Sequence, residues 1–264
     1  MAVQRMWKAG LALGALLTGS GWLAADDLAA IQQRGSLRVI AVPFEGMPEF
    51  LVANRFDLEL IEGFARMHKL RLDLVTVPTY ADLIPALSAG KGDVIACGLT
   101  VTVARRVHVN FSLETFPSRM IVVTRKPHRV IATREELRTE KLGTEKGTSW
   151  AQATIDAGVP AKSIDDTIPM QDLPAALKSG RVTAAVFEVH AAIPAARSDP
   201  ELQLGTFLGG SGSLAWAVRK SDTALLAALD EYLQAARRTA TWHQLVVKYF
   251  GDSAPDVLKR SRGN

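Results

Sequence analysis

Residues 80–105, YADLIPALSAGKGDVIACGLTVTVAR, pass from a helical to an extended pattern through one glycine, and the same passage recurs later in the chain. Leu83, Ile84 and Leu87 fall on one side of a short amphipathic helix that stops at Gly90, a residue free to take the left-handed conformation a helix C-cap favours. The apolar run 93–97 follows and reads as a buried strand. Further on, Ala176-Leu177-Lys178-Ser179-Gly180-Arg181 echoes Ala86-Leu87-Ser88-Ala89-Gly90-Lys91, and an apolar strand again comes next. So short an echo has two readings: common helix-end chemistry, or two lobes of related design.

The surrounding pattern places each unit in a larger series. Residues 27–35 read as a short helix ending at glycine, 37–42 as a strand, 43–54 as a loop, 57–69 as an amphipathic helix and 70–77 as an alternating strand. With 80–97 this makes a βαβαβ series, which calls for a parallel sheet flanked by helices. A second series starts at a strand over 120–124 and continues through a helical turn at 135–137, a strand at 141–144, a helix at 149–157 and the echo at 173–187. A strand at 213–219 and helices at 224–236 and 241–250 follow. The polar tail 252–264 reads as frayed.

Beyond Gly98 the polar residues alternate: Thr100 and Thr102 fall on one side, Leu99 and Val101 on the other, and Arg105 follows. A glycine backbone, a hydroxyl and a guanidinium thus meet at the carboxyl end of a strand, where open α/β sheets place ligands. Arginine is shaped to grip a carboxylate with two parallel hydrogen bonds. The stretch is therefore half of a site for a small anion or an amino acid.

The first 25 residues differ from the rest. Arg5 and Lys8 precede an apolar run over 11–23, and small residues precede Asp26, the three-part layout of a secretory signal; a retained anchor is the alternative. Removing them reduces 31 basic residues to 29 against 27 acids, a net charge of +2. No basic run with interleaved aromatics accompanies that charge, which excludes a nucleic-acid reading. Cys97 is the single cysteine and reads as an inert buried thiol. His68, His108, His128, His190 and His243 are scattered without ligand spacing, so no metal or cofactor is expected. Walker A, H-E-x-x-H and nucleophile-elbow patterns are lacking, and no catalytic residue is expected.

Taken in order, IQQRGSLRV, YADLIPALSAGKGDV, GLTVTVARRVHVNFS, EKGTS, ALKSGRVTAAVFE and LAWAVRKSD leading to VVKYFGD resemble the extracytoplasmic solute-binding proteins of the polar amino-acid type that serve ABC importers. The resemblance runs from about residue 31 to 251. It implies a two-lobed periplasmic-binding-protein fold of the α/β class, each lobe a mainly parallel sheet flanked by helices, joined by two crossing strands. Lobe one would comprise 26–114 and 214–264, lobe two 120–212, and the hinge segments 115–119 and 210–214, with 1–25 a cleaved signal peptide. It further implies hinge closure around a ligand, a motion for which periplasmic binding proteins are a standard example.

The resemblance also assigns roles. The family's Thr-x-x-Arg is Thr102-Val103-Ala104-Arg105 here, which sets Arg105 on a ligand α-carboxylate. Its Gly-x-Thr is Gly98-Leu99-Thr100, offering a carbonyl and a hydroxyl. Tyr80 stands where an aromatic stacks on the ligand, Thr148 and Ser149 on the second lobe's carboxylate-binding turn at a helix N-terminus, and Glu188 at the ammonium-binding acid. Val103-Ala104 replaces the usual Pro-Glu, Glu188 replaces Asp, and the first-strand acid of some members falls near Val42. The bland readings stay open: Arg105 as a surface arginine or partner of Glu114, Glu188 as a strand end, Tyr80 as a packing residue, Thr148 and Ser149 as helix caps.

These implications describe a periplasmic, monomeric, non-enzymatic protein that captures an amino acid or related zwitterion for an inner-membrane ABC permease. Two alternatives share the scaffold. One is a sensory or regulatory module, similar to the binding domain of membrane-bound lytic transglycosylases; ending at Asn264, the chain leaves no room for their lysozyme-like domain. The other is an enzyme resembling cyclohexadienyl dehydratases, for which Glu188 is the one candidate acid.

Overall fold

A computed structural model of the chain describes residues 27–43, 53–146 and 149–262. In chain order the elements are α1 (Asp27–Arg34), β1 (Ser36–Ala41), α2 (Ala53–Met67), β2 (Arg71–Thr76), α3 (Leu83–Ser88), β3 (Val94–Ile95), α4 (Val103–His108) and β4 (Val109–Arg125). Then come β5 (Leu142–Gly143), α5 (Ser149–Asp156), β6 (Ile164–Asp165), α6 (Leu173–Lys178), β7 (Ala184–Glu188), α7 (Val189–Ser198), β8 (Leu202–Arg219), α8 (Thr223–Arg238), α9 (Thr241–Phe250) and α10 (Ala254–Arg262).

The strands lie in the order β2-β1-β3-β8-β4-β7-β5-β6. Parallel triplets, β2-β1-β3 and β6-β5-β7, flank one long antiparallel pair, β4 and β8. This is the two-lobed α/β fold, with β4 and β8 as the crossing strands.

The echo noted in the sequence is a structural repeat. Short 3-10 turns at Tyr80–Asp82 and Met170–Asp172 lead into α3 and α6. Both helices end at a glycine in the left-handed region, Gly90 at φ 71° and Gly180 at φ 73°, where any side chain would be strained. Asp93 then accepts the Arg38 amide at 2.8 Å, and the Thr183 hydroxyl accepts the Lys141 amide at 3.0 Å, so a short polar side chain ties each unit to its central strand. The step along the chain that takes Gly90 to Gly180 also takes Gly98 to Glu188. Both residues therefore stand at the exit of matching strands.

Among the described residues, three hydrophobic clusters pack the sheet. The first gathers Phe56, Phe64, Phe116, Trp216 and Phe250, all fully buried. Phe56 meets Phe116 and Phe250 edge-on at centroid distances of 5.5 and 5.6 Å. Each such side chain contributes roughly 1.5–3 kcal/mol on burial. The second cluster surrounds Val122, Leu142, Ile168 and Phe187, and the third surrounds Ile40, Leu83, Leu87 and Ile95. α7 serves two of them: Val189 and Ile193, one turn apart, enter the first, while Ala191, Ala192 and Ala195 enter the second.

Beyond β6, α7 and the early start of β8, which the sequence reading does not contain, three features differ from it. Residues 115–119 and 210–214, read as segments between elements, lie inside β4 and β8. Pro117 pairs with Ser213 and Ser118 with Gly212, with register shifts on either side. The prolines, glycines and serines that suggest loops are accommodated by irregular strand pairing. α4 has no counterpart in the sequence reading; the Thr102 hydroxyl caps it by accepting the Arg105 amide at 3.2 Å. The tail is not frayed over 254–262. Ala254, Val257, Leu258 and Ser261 form a buried stripe at helical spacing, which their polar neighbours conceal in the sequence.

Candidate functional site

Gly98 follows β3 with φ 68°. A Cβ there would crowd Asn54 Oδ1 at 3.1 Å and the Ala53 Cβ at 3.2 Å, so the position admits only glycine comfortably. Its amide donates to Asp57 Oδ2 at 2.6 Å. Residues 99–101 then zip onto β8: Ala215 N–H meets the Leu99 carbonyl at 3.1 Å, and Val101 N–H the Ser213 carbonyl at 2.9 Å. Thr100 bridges to Leu214 between them.

Arg105 extends from α4 and donates to the Thr100 carbonyl at 2.7 Å. It is half-buried, and burial pulls its pKa down, with the Glu188 charge acting to raise it. It does not pair with Glu114, which is engaged by Arg237, Arg262 and Ser213 instead. The surface-pairing alternative for Arg105 is thereby removed.

Tyr80 keeps 40% of its surface exposed, yet its hydroxyl turns inward, 2.9 Å from Asn54 Oδ1 and 3.3 Å from the Cys97 carbonyl. Burial pushes its phenol pKa up, and the Asp57 and Glu188 charges act in the same direction. The hydroxyl is anchored while part of the ring faces solvent. Cys97 is buried and free; burial pushes its thiol up to about 12, which leaves it protonated and unreactive.

Glu188 lies at the opposite end of the arrangement, 4% exposed, where β7 hands over to α7. The Ser118 hydroxyl from β4 donates to its Oε1. His190 Nδ1 lies 3.5 Å from Oε2. Burial lowers the His190 pKa and the Glu188 charge opposes that shift, so the imidazole is neutral at neutral pH.

Tyr80, Arg105 and Glu188 thus come within electrostatic range of one another, with Gly98 and Thr100 beside them. Arg105 stands on α4 and Glu188 at the end of β7, and the Glu188 charge acts on the guanidinium. Among the described residues the two form no direct ion pair. Thr148 lies outside the described residues, and Ser149 is the first residue of α5.

Sequence reasoning missed three residues here. Asn54 and Asp57, one turn apart on α2 and 2% and 1% exposed, reach Tyr80 and Gly98 from behind. The signal for Asp57 was an acid amid the apolar residues of an amphipathic helix. His190, two residues beyond Glu188, carried no ligand spacing. Among the described residues no group of three or more His, Cys, Asp or Glu could hold a metal ion.

The chain belongs to the bacterial extracellular solute-binding proteins, family 3, whose model matches residues 42–252. Particular relatives extend that likeness. A probable histidine-binding protein of Campylobacter jejuni is 30% identical over 56% of this chain and 56% of its own length. The membrane-bound lytic murein transglycosylase F of Photobacterium profundum is 25% identical over 90% of this chain. That alignment spans 48% of the transglycosylase, so the chain covers about half the length of these two relatives. Among solved structures, an ancestral arginine-binding protein bound to arginine superposes with a TM-score of 0.63 at 28% identity, covering 83% of this chain and 99% of that one.

Proposed function

We propose that the chain captures an amino acid in the cleft between its lobes and presents it, in the periplasm, to an inner-membrane ABC permease. The observation that supports this reading is that the charge of Glu188, at the end of β7, acts on the half-buried Arg105 of α4. An amino acid has one carboxylate and one ammonium at fixed separation. Arg105 takes the carboxylate and Glu188 the ammonium, each through charge-assisted bonds, with Thr100 and the Gly98 backbone between them and the Tyr80 ring against the ligand side chain. On the same reading Thr148 and Ser149 supply the second lobe's contacts to the carboxylate.

A ligand held by both lobes favours the closed form by the contacts it makes only there. Bending is proposed within 115–119 and 210–214, where the β4–β8 pairing is irregular; Gly209, at φ 65°, immediately precedes the latter segment on β8. The protein acts as a monomer without catalysis, after removal of residues 1–25. Among the described residues no helix is long and apolar enough to cross a membrane.

The likeness to histidine- and arginine-binding proteins makes L-histidine and L-arginine the first probes, followed by other amino acids, opines, small peptides and carboxylates. A ligand that binds only the folded state raises the thermal midpoint by mass action, and calorimetry then gives the affinity. A flat response from folded protein across the whole set would reject solute capture. It would favour the second reading, a partner-binding module, which the likeness to the Photobacterium transglycosylase over 90% of the chain supports. An enzyme of the dehydratase kind would instead convert prephenate or arogenate, and none of that product is expected.

A further inference from the structure

Asp57 is a carboxylate with almost no access to water, placed where burial of a charge is costly. Its position is specific. Oδ2 takes the Gly98 amide at 2.6 Å, and the Thr115 and Trp216 side chains approach from β4 and β8. Among the described residues neither closes a well-formed hydrogen bond on Oδ1. The Cys97–Gly98 peptide is trans, so fixing its N–H on Asp57 turns its carbonyl the opposite way. That carbonyl is buried with Cys97 and lies 3.3 Å from the inward-turned Tyr80 hydroxyl. One turn earlier on the same helix, Asn54 holds the same hydroxyl at 2.9 Å. Two buried polar side chains of α2 therefore set the backbone and the ring of the first lobe's half-site.

We propose that Asp57 is a positioning residue for the ligand site: it fixes the Gly98 backbone, from which the chain continues to Thr100, and its negative charge, directly behind that backbone, favours a ligand ammonium held there. The inference rests on the amino-acid-capture reading above. A carboxylate in a low-dielectric interior acts on a nearby cation more strongly than one in water.

The charge on Asp57 is also open to titration, since burial raises its pKa to about 6. The titratable groups that face it are the Cys97 thiol and the Tyr80 phenol, both neutral. Thr115 and Trp216 carry no charge. Charged side chains on the elements packed against α2 are engaged elsewhere: Lys248 of α9 on Glu59, Arg38 of β1 on Asp93, and Arg71 and Asp73 of β2 on each other. A ligand ammonium favours the ionised carboxylate, so capture weakens as pH falls through the titration of free Asp57.

The test is calorimetric titration with L-arginine and L-histidine between pH 5 and pH 8, on the wild-type protein, Asp57→Asn and His190→Gln. For whichever probe binds, wild-type affinity should fall about tenfold from pH 7.5 to pH 5, in keeping with the gap between charged and neutral hydrogen bonds. Asp57→Asn should bind about tenfold more weakly at pH 7.5 with most of that dependence gone, while His190→Gln should keep it. Wild-type affinity and an unchanged pH profile in Asp57→Asn would overturn the proposal, as would loss of the dependence in His190→Gln alone. Should Asp57→Asn not fold, the Gly98 amide resonance of the wild-type protein decides: it should titrate with a midpoint near 6, and a signal that stays fixed between pH 5 and 7.5 overturns the assignment. If neither probe nor any other amino acid binds, the capture reading has failed, and the Gly98 titration still reports separately on whether Asp57 governs this peptide.

Discussion

Ser118, midway along β4, donates its hydroxyl to Glu188, the last residue of β7. The bond joins a crossing strand to the acid whose charge acts on Arg105. Removing it in Ser118→Ala leaves a buried carboxylate oxygen short of a donor. The expected cost is about 1–3 kcal/mol of unfolding free energy, read from urea denaturation at pH 7.5. No change in the midpoint would mean that water replaces the hydroxyl without loss.

Arg105→Ala should weaken amino-acid binding by about 2–4 kcal/mol, the scale for truncating one partner of a desolvated charge pair. Fold stability should change far less, because the guanidinium gives up one bond, to the Thr100 carbonyl. Calorimetry against the ligand that shifts the wild-type melting point makes the measurement. Equal affinity in the variant removes Arg105 from the site.

Asp57 also leaves a mark on stability. Its folded pKa is raised from 3.8 to about 6, so the native state holds the proton more tightly than the unfolded chain does. Its contribution is most favourable below about pH 4, declines as pH rises toward 6, and stays low above that. The decline amounts to about 2–3 kcal/mol. Asp57→Asn cannot ionise and lacks this component, so its stability relative to wild type should rise between pH 4 and pH 7. Parallel stability curves for the two proteins across that range would contradict the assignment.

Gly63 lies in the middle of α2 against the Tyr232 hydroxyl, which occupies the place a Cβ would take and bonds the Leu60 carbonyl at 2.8 Å. Alanine would gain about 1 kcal/mol of helix propensity. It would also displace a buried hydrogen-bonded hydroxyl, at about 1–3 kcal/mol for overpacking and about 1 kcal/mol for the lost bond. The steric side wins, so Gly63→Ala should be destabilised. Tyr232→Phe removes the obstructing oxygen, and a double-mutant cycle should show positive coupling between the two positions.

Much of the architecture is legible in the sequence because it rests on local rules. Helix periodicity, the glycine stops at Gly90 and Gly180 and the apolar runs after them place α3, β3, α6 and β7 within a few residues. The repeat they form is visible as a short echo, and its extension to matching contacts at Asp93 and Thr183 is not, because those bonds cross between strands far apart in sequence. β4 and β8 read as broken because proline and glycine report backbone preference, whereas pairing with each other over most of their length decides the outcome. The assignment of Tyr80, Arg105 and Glu188 to one site follows from a resemblance rather than from pattern. The supporting residues Asn54, Asp57 and His190 escape notice because burial and direction, which create their chemistry, are properties of the folded chain.

α7 contributes Val189 and Ile193 to one hydrophobic cluster and Ala191, Ala192 and Ala195 to the other. A lobe that came apart alone would strip one side of this helix and leave its other side anchored, exposing apolar surface on both partners. The lobes therefore share a common fate on heating. A calorimetric scan of the ligand-free protein should trace a single cooperative peak, with the two halves melting as one unit although each is built around its own parallel triplet of strands.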